Sequence, residues 1–474
     1  MSTGSLFNIS SWFAPPDGTT FTIQDKGVYS TNSIPEVCGS VRKAIENDSN
    51  EQELVAALMV VLDICHQPEA SKLKEKLGQS GIVESLVEIF VLKGSNIEIM
   101  ELSAEVCSLL AEIDTNRTRI IDCNIISAMV LLANASMTDG LVCTWCCKFI
   151  KNMTTESATV NKLITLGACE VVASVVEKHM SNEDALESAC RAIYALCKTS
   201  KRCKDKFGGT LVMNVIVTHV FQKIIQAHAE FTDDNGALLA SSSVMDASCI
   251  DRDRDNSSPI DTARYSGSPT SSYFPTRRGV DAMIVSAEWG LRVIGILVQK
   301  HTENSARAKE VNMGILVLDL FKIYSDEDEQ FISSLLFAIQ NLADSDDTHQ
   351  TLFVEHGMCD LTLSTMAKYT EKLCVLAVSD CYRVLRILAF NNANTQQILV
   401  DKGAAVQILQ SMQKFRGNSH DIVQWGWYVL DVLATNRSNL GSIAACGGCQ
   451  ENVNALKRFV VPVLFATAGV CYMM

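Results

Sequence analysis

The sequence is poor in proline and in the alternating pattern that is typical of β-strands. Its 474 residues include only 8 prolines, and turn-forming dipeptides between alternating apolar and polar positions are scarce. Apolar residues instead recur three and four positions apart, as at Leu54, Leu58, Val61, Leu62 and Cys65. This spacing places them on one side of a helix. The scarcity of strand signals therefore argues against a strand-based fold and predicts an all-α protein.

The sequence also lacks an excess of positive charge. Lys and Arg number 40 against 54 Asp and Glu, which gives a formal net charge of -14 and a pI of about 5.1. Proteins that bind nucleic acid through its phosphates carry a clear basic excess, so we do not expect nucleic acid as a partner. Hydrophobic residues make up 47% of the chain and charged residues 20%, which provides ample apolar material for a core.

A secretory signal is missing from the start of the chain. The first residues, MSTGSLFNISSWFAPPDG, lack a basic start and a cleavable apolar core, and Met1-Ser2 lacks the glycine that N-myristoylation requires. Most of the 18 cysteines lie in apolar helical runs, where a reduced thiol packs as a small hydrophobic group. We expect an intracellular, cytoplasmic protein, and the nucleus stays open as a second location.

Motifs that carry out chemistry are scarce too. The sequence has no Gly-rich phosphate-binding loop, no His-Glu-x-x-His and no nucleophile elbow. Two Cys-x-x-Cys pairs occur, Cys143 with Cys146 and Cys446 with Cys449. Neither has a second pair nearby to complete a four-ligand zinc site, and the βαβ context of a thioredoxin-like motif is missing. The sequence therefore predicts no catalytic residues, no cofactor and no metal site.

What the sequence does contain is a repeat of about 43 residues. Similar apolar segments begin at Gly81, Asn124, Gly167, Gly357 and Gly403. A short helical stretch precedes each of these residues, and a second helical stretch follows it. Glycine and, less readily, asparagine allow a left-handed backbone conformation, so they let the chain turn sharply between two helices. The repeat length is that of armadillo and HEAT units.

In this pattern the sequence resembles the armadillo repeat family. The segment FAIQNLA, which begins at Phe337, is similar to the family's third-helix ending Ala-Leu-x-Asn-Leu-Ala. The resemblance covers most of the chain and implies an all-α, right-handed α-solenoid of about eight to nine repeats. Each repeat would have a short first helix, a corner and two longer helices. HEAT-like units, which lack a separate short first helix, are the nearest alternative.

The repeat template divides the chain into five parts. We predict a disordered N-terminal arm at 1–34, armadillo-like repeats at 35–231 and 283–458, an insertion at 232–282, and an apolar helix at 459–474. The insertion is rich in Ser, Asp and Pro and has no helical period, which is typical of disorder; we place it inside one repeat. The C-terminal segment is shorter than the ~20 residues of a membrane span. We expect it to pack on the last repeat, and a membrane anchor is the alternative.

The resemblance also implies a binding site. In armadillo proteins the third helices line a groove, and an asparagine side chain on them binds the backbone of an extended peptide. That role falls by resemblance to Asn152 and Asn341. Aromatic and charged side chains on the same face are typical interface anchors, although packing between repeats is the alternative role for each. The predicted partner-binding residues are Trp145, Lys148, Asn152, Arg191, Phe337, Asn341, Arg383, Trp425 and Tyr428.

The asparagine array is incomplete. Ala195, Ile387 and Val432 stand at the corresponding positions of other repeats, and the first 34 residues contain a single basic residue, Lys26. Both features depart from importin-like proteins. We therefore predict a non-catalytic scaffold or adaptor that binds an extended or helical segment of a partner protein. An importin-like transport adaptor and a membrane-tethered organiser are the alternatives.

Two further features concern charge. A basic cluster surrounds one first helix and consists of Lys198, Lys201, Arg202, Lys204 and Lys206. It is either a solvated face or a site for an acidic peptide or phosphate. The insertion contains Ser258-Pro259 and Ser268-Pro269, so Ser258 and Ser268 are candidate regulatory phosphorylation sites. Phosphates there would add charge that a basic cluster attracts.

Overall fold

The computed structural model describes residues 29–47, 51–68, 70–235, 277–415 and 419–447. Every regular element within these ranges is a helix, which confirms the all-α prediction. The chain divides into two compact units. We call the unit that ends at Cys123 the N-terminal body and the unit that begins at Asn124 the C-terminal body.

The described residues of the N-terminal body form six helices. They are α1 Ile34–Glu46, α2 Glu51–Cys65, α3 Ala70–Gln79, α4 Ile82–Leu92, α5 Ile97–Leu110 and α6 Asp114–Asp122. Helix α1 begins with Pro35, whose fixed φ suits the first turn, and it buries one apolar side. Helices α1 and α2 take the places of the second and third helices of a repeat, and they pack on α4 and α5 respectively.

The C-terminal body continues the same organisation. Its helices are α7 Ile125–Ala135, α8 Gly140–Asn152, α9 Ser157–Thr165, α10 Ala168–Lys178, α11 Glu183–Thr199, α12 Lys201–Gly208, α13 Val212–Val215, α14 Gln222–Asn235, α15 Arg277–Val298, α16 Thr302–Glu310, α17 Met313–Tyr324, α18 Glu329–Ser345, α19 Asp347–Glu355, α20 Met358–Glu371, α21 Val375–Ala389, α22 Ala393–Asp401, α23 Ala404–Lys414, α24 His420–Ala434 and α25 Leu440–Ala445. A π-helical segment, Ile216–Phe221, joins α13 to α14, and a short 3-10 turn, Arg437–Asn439, precedes α25.

Three helices make one repeat. In the unit formed by α9, α10 and α11, a first helix of 9 residues precedes helices of 11 and 17 residues. Third helices then pack side by side, in the order α8, α11, α15, α18, α21 and α24. Because each complete repeat has a separate short first helix, the units are armadillo-like and not HEAT-like.

The corner between the first and second helices is a left-handed residue. Gly167 has φ 87° and Gly403 has φ 78°, values at which a glycine avoids the strain of a Cβ atom. Asn124, with φ 57°, takes the same place, and so does Asn312, with φ 54°, although the sequence pattern did not single it out. The corner after α12 is different, since Gly209 has φ -81°.

The helices before and after the predicted insertion each extend into its predicted range. Helix α14 continues to Asn235 and α15 begins at Arg277, whereas the insertion was predicted at 232–282. The remaining insertion residues, 236–276, lie outside the described residues. The same holds for most of the predicted N-terminal arm and for the apolar C-terminal helix at 459–474, so these predictions stay predictions.

Buried amide side chains join consecutive repeats. Asn304 on α16 is fully buried, and its Nδ2 donates to the carbonyl oxygens of Leu297 and Lys204, both at 3.0 Å. Leu297 lies in the last turn of α15, where helix carbonyls lack partners within the helix. The amide therefore ties its first helix to the preceding third helix and to the preceding first helix.

Three other amides cap a third helix in the same way. Asn116 donates to Leu110 O at 3.3 Å, Gln396 to Ala389 O at 2.9 Å, and Asn439 to Leu433 O at 3.0 Å. Two of the four amides face a glycine on the preceding first helix. A Cβ on Gly208 would lie 1.8 Å from Asn304 Oδ1, and a Cβ on Gly78 would lie 1.9 Å from Asn116 Oδ1. We call these amides, with their facing glycines, the amide staples.

No single helix among the described residues is long and apolar enough to cross a membrane. Three consecutive pairs of first and second helices reach that length and hydropathy only when both members are counted, and each pair is bent at its corner.

Candidate functional site

Aromatic and charged side chains line the exposed side of the third helices in the C-terminal body. All of them are half-buried, so each has both packing contacts and access to solvent. We call this surface the third-helix face; its main residues are Trp145, Lys148, Arg191, Tyr194, Trp289, Arg292, Phe337, Arg383, Trp425 and Tyr428.

Trp289 on α15 is the centre of one cluster. The guanidinium carbon of Arg191, on α11, lies 4.7 Å from the centre of the Trp289 ring, and that of Arg292 lies 4.8 Å from it. Tyr194 makes an edge contact with Trp289 at 6.0 Å and another with Phe337 at 6.3 Å. The cluster therefore joins α11, α15 and α18 through cation–π and aromatic contacts.

Carboxylates hold the two arginines of this cluster. Arg191 pairs with Glu187 at 2.6 Å and Arg292 with Glu288 at 3.1 Å, each one turn earlier on its own helix. Arg292 also donates from Nε to the Ser334 hydroxyl at 2.8 Å. Burial raises the pKa of the Glu288 carboxyl, and Arg292 opposes this effect. The pairing fixes both guanidinium groups beside the Trp289 ring.

A second cluster lies on α21 and α24. Arg383 lies 4.9 Å over the Trp425 ring, and Trp425 contacts Tyr428 edge to face at 5.4 Å. Asp380, which is only 5% exposed, accepts from Arg383 at 2.6 Å and from the Ser333 hydroxyl at 2.5 Å. Burial raises the pKa of Asp380, and the bond from Ser333 opposes that shift. The structure thus brings the predicted residues Arg383, Trp425 and Tyr428 together.

A third pair lies on α8. The ammonium nitrogen of Lys148 lies 3.9 Å over the Trp145 ring, so these predicted residues are adjacent. Asn152, in the last turn of the same helix, is half-buried. Its side chain lies on the side of α8 that the sequence pattern indicates.

Asn341, the other predicted peptide-binding asparagine, bonds to its own helix. It is 2% exposed, and its Nδ2 donates to Phe337 O, one turn earlier, at 2.8 Å. Binding a peptide backbone would require this side chain to become more exposed, although its second N–H and its Oδ1 remain available as donor and acceptor. Phe337 fills the space beside Gly295, where a Cβ would lie 2.6 Å from its ring, so it also contributes to the packing of α18 on α15.

The sequence interpretation missed Trp289, Arg292 and Tyr194. A signal for the first two was present, because Trp289 precedes Arg292 by three residues, as Trp145 precedes Lys148. Residues three apart on a helix are neighbours on its surface. Tyr194 follows the predicted residue Arg191 by three positions, but its contacts with α15 and α18 depend on how the helices pack.

The basic cluster around α12 is partly structural. Lys204 is 9% exposed, and its Nζ donates to Gln299 O at 2.9 Å. Lys206 forms an ion pair with Glu170. Lys201 and Arg202 are exposed. Only part of this cluster is therefore presented to solvent, and the candidate phosphorylation sites Ser258 and Ser268 lie outside the described residues.

The cysteine pair Cys143 and Cys146 belongs to the core. Both side chains are fully buried in α8, and burial raises the pKa of the Cys143 thiol to about 11. Within the described residues, no group of three or more His, Cys, Asp or Glu side chains is arranged to hold a metal ion.

Several solved structures are similar to the chain, and one of them has a TM-score above 0.5. An engineered protein from a structural genomics consortium is similar to the chain at a TM-score of 0.55 and 13% identity, over 93% of this chain and 98% of that chain. A designed armadillo repeat protein in complex with the peptide (KR)4 is similar at a TM-score of 0.41 and 14% identity, over 65% of this chain and 99% of that chain.

The chain thus belongs to the class of α-solenoid repeat proteins. Its three-helix units, with short first helices and left-handed corners, give it an armadillo-like fold. No protein-family model matches the sequence. No curated protein matches it either.

Proposed function

We propose that the chain is a non-catalytic scaffold that binds a segment of a partner protein along the third-helix face. The observation that carries this proposal is the row of half-buried aromatic and Arg side chains on consecutive third helices. Trp, Tyr and Arg are the side chains that most often dominate protein–protein binding energies. Here carboxylates and stacked rings hold the arginines in place, so little side-chain freedom is lost on binding.

The proposal favours a partner segment in extended form. Neighbouring helices pack about 8–10 Å apart, and an extended chain advances about 3.3 Å per residue. A segment that crosses the third helices therefore meets a new helix about every three residues. The side-chain clusters at Trp289 and Trp425 would contact separate parts of one segment.

Selection of peptides from a display library, with the full-length chain as bait, tests this proposal. The selected peptides are then titrated against a Trp145→Ala/Trp425→Ala variant. Each lost aromatic anchor of about 2 kcal/mol weakens binding about 30-fold, so loss of both is expected to weaken it by about three orders of magnitude. Leu131→Ala is the matched control, because Leu131 is 67% exposed but lies on the second helix α7.

Hydrogen exchange provides the second measurement. Bound peptide is expected to slow exchange in α11, α15 and α21. Thermal midpoints equal to that of the original protein show that both variants are folded. The proposal is wrong if the selected peptides then bind the double tryptophan variant as tightly as the unchanged chain. It is also wrong if bound peptide protects the second helices and not the third helices from exchange.

A further inference from the structure

The cations on the third-helix face share one arrangement. The protein carries a formal charge of -14, yet cations recur along the middle of this face. Each of these cations lies over an aromatic ring of the protein itself. The pairs are Lys148 over Trp145, Arg191 and Arg292 over Trp289, and Arg383 over Trp425.

These contacts disfavour a basic ligand. A Lys or Arg side chain of a peptide binds most strongly to an aromatic face or to a carboxylate. At Trp289 two guanidinium groups already lie within 4.8 Å of the ring centre. The nearby carboxylates Glu187 and Glu288 already pair with those guanidinium groups. A basic peptide would have to displace them and would meet like charge.

The same contacts suit an acidic ligand. Arg191 and Arg383 keep 41% and 34% of their side chains exposed, although each pairs with one carboxylate. A guanidinium has five N–H donors in a fixed plane, and stacking on a ring orients that plane without using those donors. Both arginines can therefore bind a further carboxylate.

The two arginines also lie at a spacing that one segment can span. Arg191 is on α11 and Arg383 on α21, and these helices are separated by α15 and α18. Three helix-to-helix steps cover about 24–30 Å, which corresponds to about eight residues of extended chain. A second acidic side chain in that position would meet the second arginine.

From these observations we propose that the third-helix face selects an acidic peptide segment of a partner protein, with carboxylate side chains bound at Arg191 and at Arg383. This inference rests on the proposed scaffold function and specifies the chemistry of its ligand. The partner segment is extended and carries Asp or Glu at least about eight residues apart.

Three labelled peptides of about 14 residues test the inference, since that length spans α11 to α24. They alternate Thr with Glu, with Gln or with Lys. Fluorescence anisotropy with the full-length chain is expected to show binding of the Glu peptide at least about tenfold tighter than of the Gln peptide, and weakest binding of the Lys peptide. The preference is expected to shrink as salt is added.

Two variants locate the effect. Arg191→Gln/Arg383→Gln is expected to weaken binding of the Glu peptide at least about tenfold, because each lost charge-assisted contact corresponds to roughly a factor of ten. Arg202→Gln is the matched control, as Arg202 is an exposed arginine on the first helix α12, and it should leave binding unchanged. Circular dichroism and thermal midpoints show whether each variant is folded.

The other outcomes separate this inference from the scaffold proposal. Tighter binding of the Lys peptide would overturn the acidic preference and leave a peptide-binding face in place. Equal binding of the Glu peptide by the original chain and the folded double arginine variant would place the acidic site elsewhere. If the Glu peptide does not bind while display-selected peptides still depend on Trp145 and Trp425, the charge inference fails and the scaffold proposal stands.

Discussion

The amide staple at Asn304 leads to a quantitative prediction about stability. Asn304→Ala removes the two bonds from Nδ2 to Leu297 O and Lys204 O in a site with no exposed surface. A buried hydrogen bond contributes about 1 kcal/mol, and a buried carbonyl left without a partner costs a further 1–3 kcal/mol. We expect the variant to lose about 3 kcal/mol of folding free energy.

A substitution at Gly208, the glycine that faces Asn304, tests the same contact from the other side. In Gly208→Ala the new Cβ would lie 1.8 Å from Asn304 Oδ1 and 2.5 Å from its Cγ, so the amide must move and its bonds weaken. We expect a loss of about 2–3 kcal/mol. In the double variant the methyl group no longer meets the amide, and alanine favours the helix more than glycine does. The double variant should therefore be about as stable as Asn304→Ala alone, with a coupling energy of about 2 kcal/mol.

Urea denaturation followed by circular dichroism measures all four proteins of this cycle. Gly39→Ala is the control, because Gly39 lies inside α1 and a Cβ added there would have nothing within 4 Å of it. This substitution should be neutral or stabilising by up to about 1 kcal/mol. Additive losses in the double variant would refute the idea that glycine is required at position 208 to accommodate the amide.

Three further predictions concern other sites. Gly78→Ala should cost about 2–3 kcal/mol in the N-terminal body, because its Cβ would lie 1.9 Å from Asn116 Oδ1; a neutral result in urea denaturation would contradict this. Burial raises the pKa of Asp431, and its buried Oδ1 has no hydrogen-bond partner among the described residues, so the charged form is penalised in the folded protein. Asp431→Asn should therefore raise the free energy of unfolding at pH 7 by less than about 1 kcal/mol. It should make no difference below about pH 3.8, the ordinary pKa of an aspartate. A thermal midpoint that is unchanged at pH 7, or raised equally at pH 7 and below pH 3.8, would contradict this. Cys446 is exposed whereas Cys107 and Cys190 are buried, so Cys446→Ser should remove one rapidly reacting thiol in native Ellman titration, and an unchanged rapid phase would contradict that assignment.

The sequence was sufficient to predict the repeat because its signal is local. Gly167, Gly357 and Gly403 lie at the corners they were predicted to occupy, and conformational freedom at a corner depends on the residue itself. Arg383, Trp425 and Tyr428 also meet as neighbours, since residues at matching positions of consecutive third helices come together when those helices pack.

What the sequence did not predict depends on contacts between repeats. Asn341 matches the family motif, yet its amide bonds to its own helix, because the space around a side chain is set by the neighbouring helices. The staple between Asn304 and Gly208 joins residues from two repeats, and neither residue forms a motif by itself. The pairing of Trp289 with Arg292 could have been read from their spacing, but its contact with Arg191 joins two third helices and is not visible in the sequence.

The staple at Asn304 also bears on the order of folding. Its bond to Lys204 O closes a stretch of 100 residues, whereas the equivalent bond from Asn116 to Lys74 O closes 42. The entropy of chain closure grows only with the logarithm of length, so the difference is about 0.8 kcal/mol. The long insertion between the helices of one repeat therefore costs the folded protein little free energy, and we expect that repeat to close more slowly than the others.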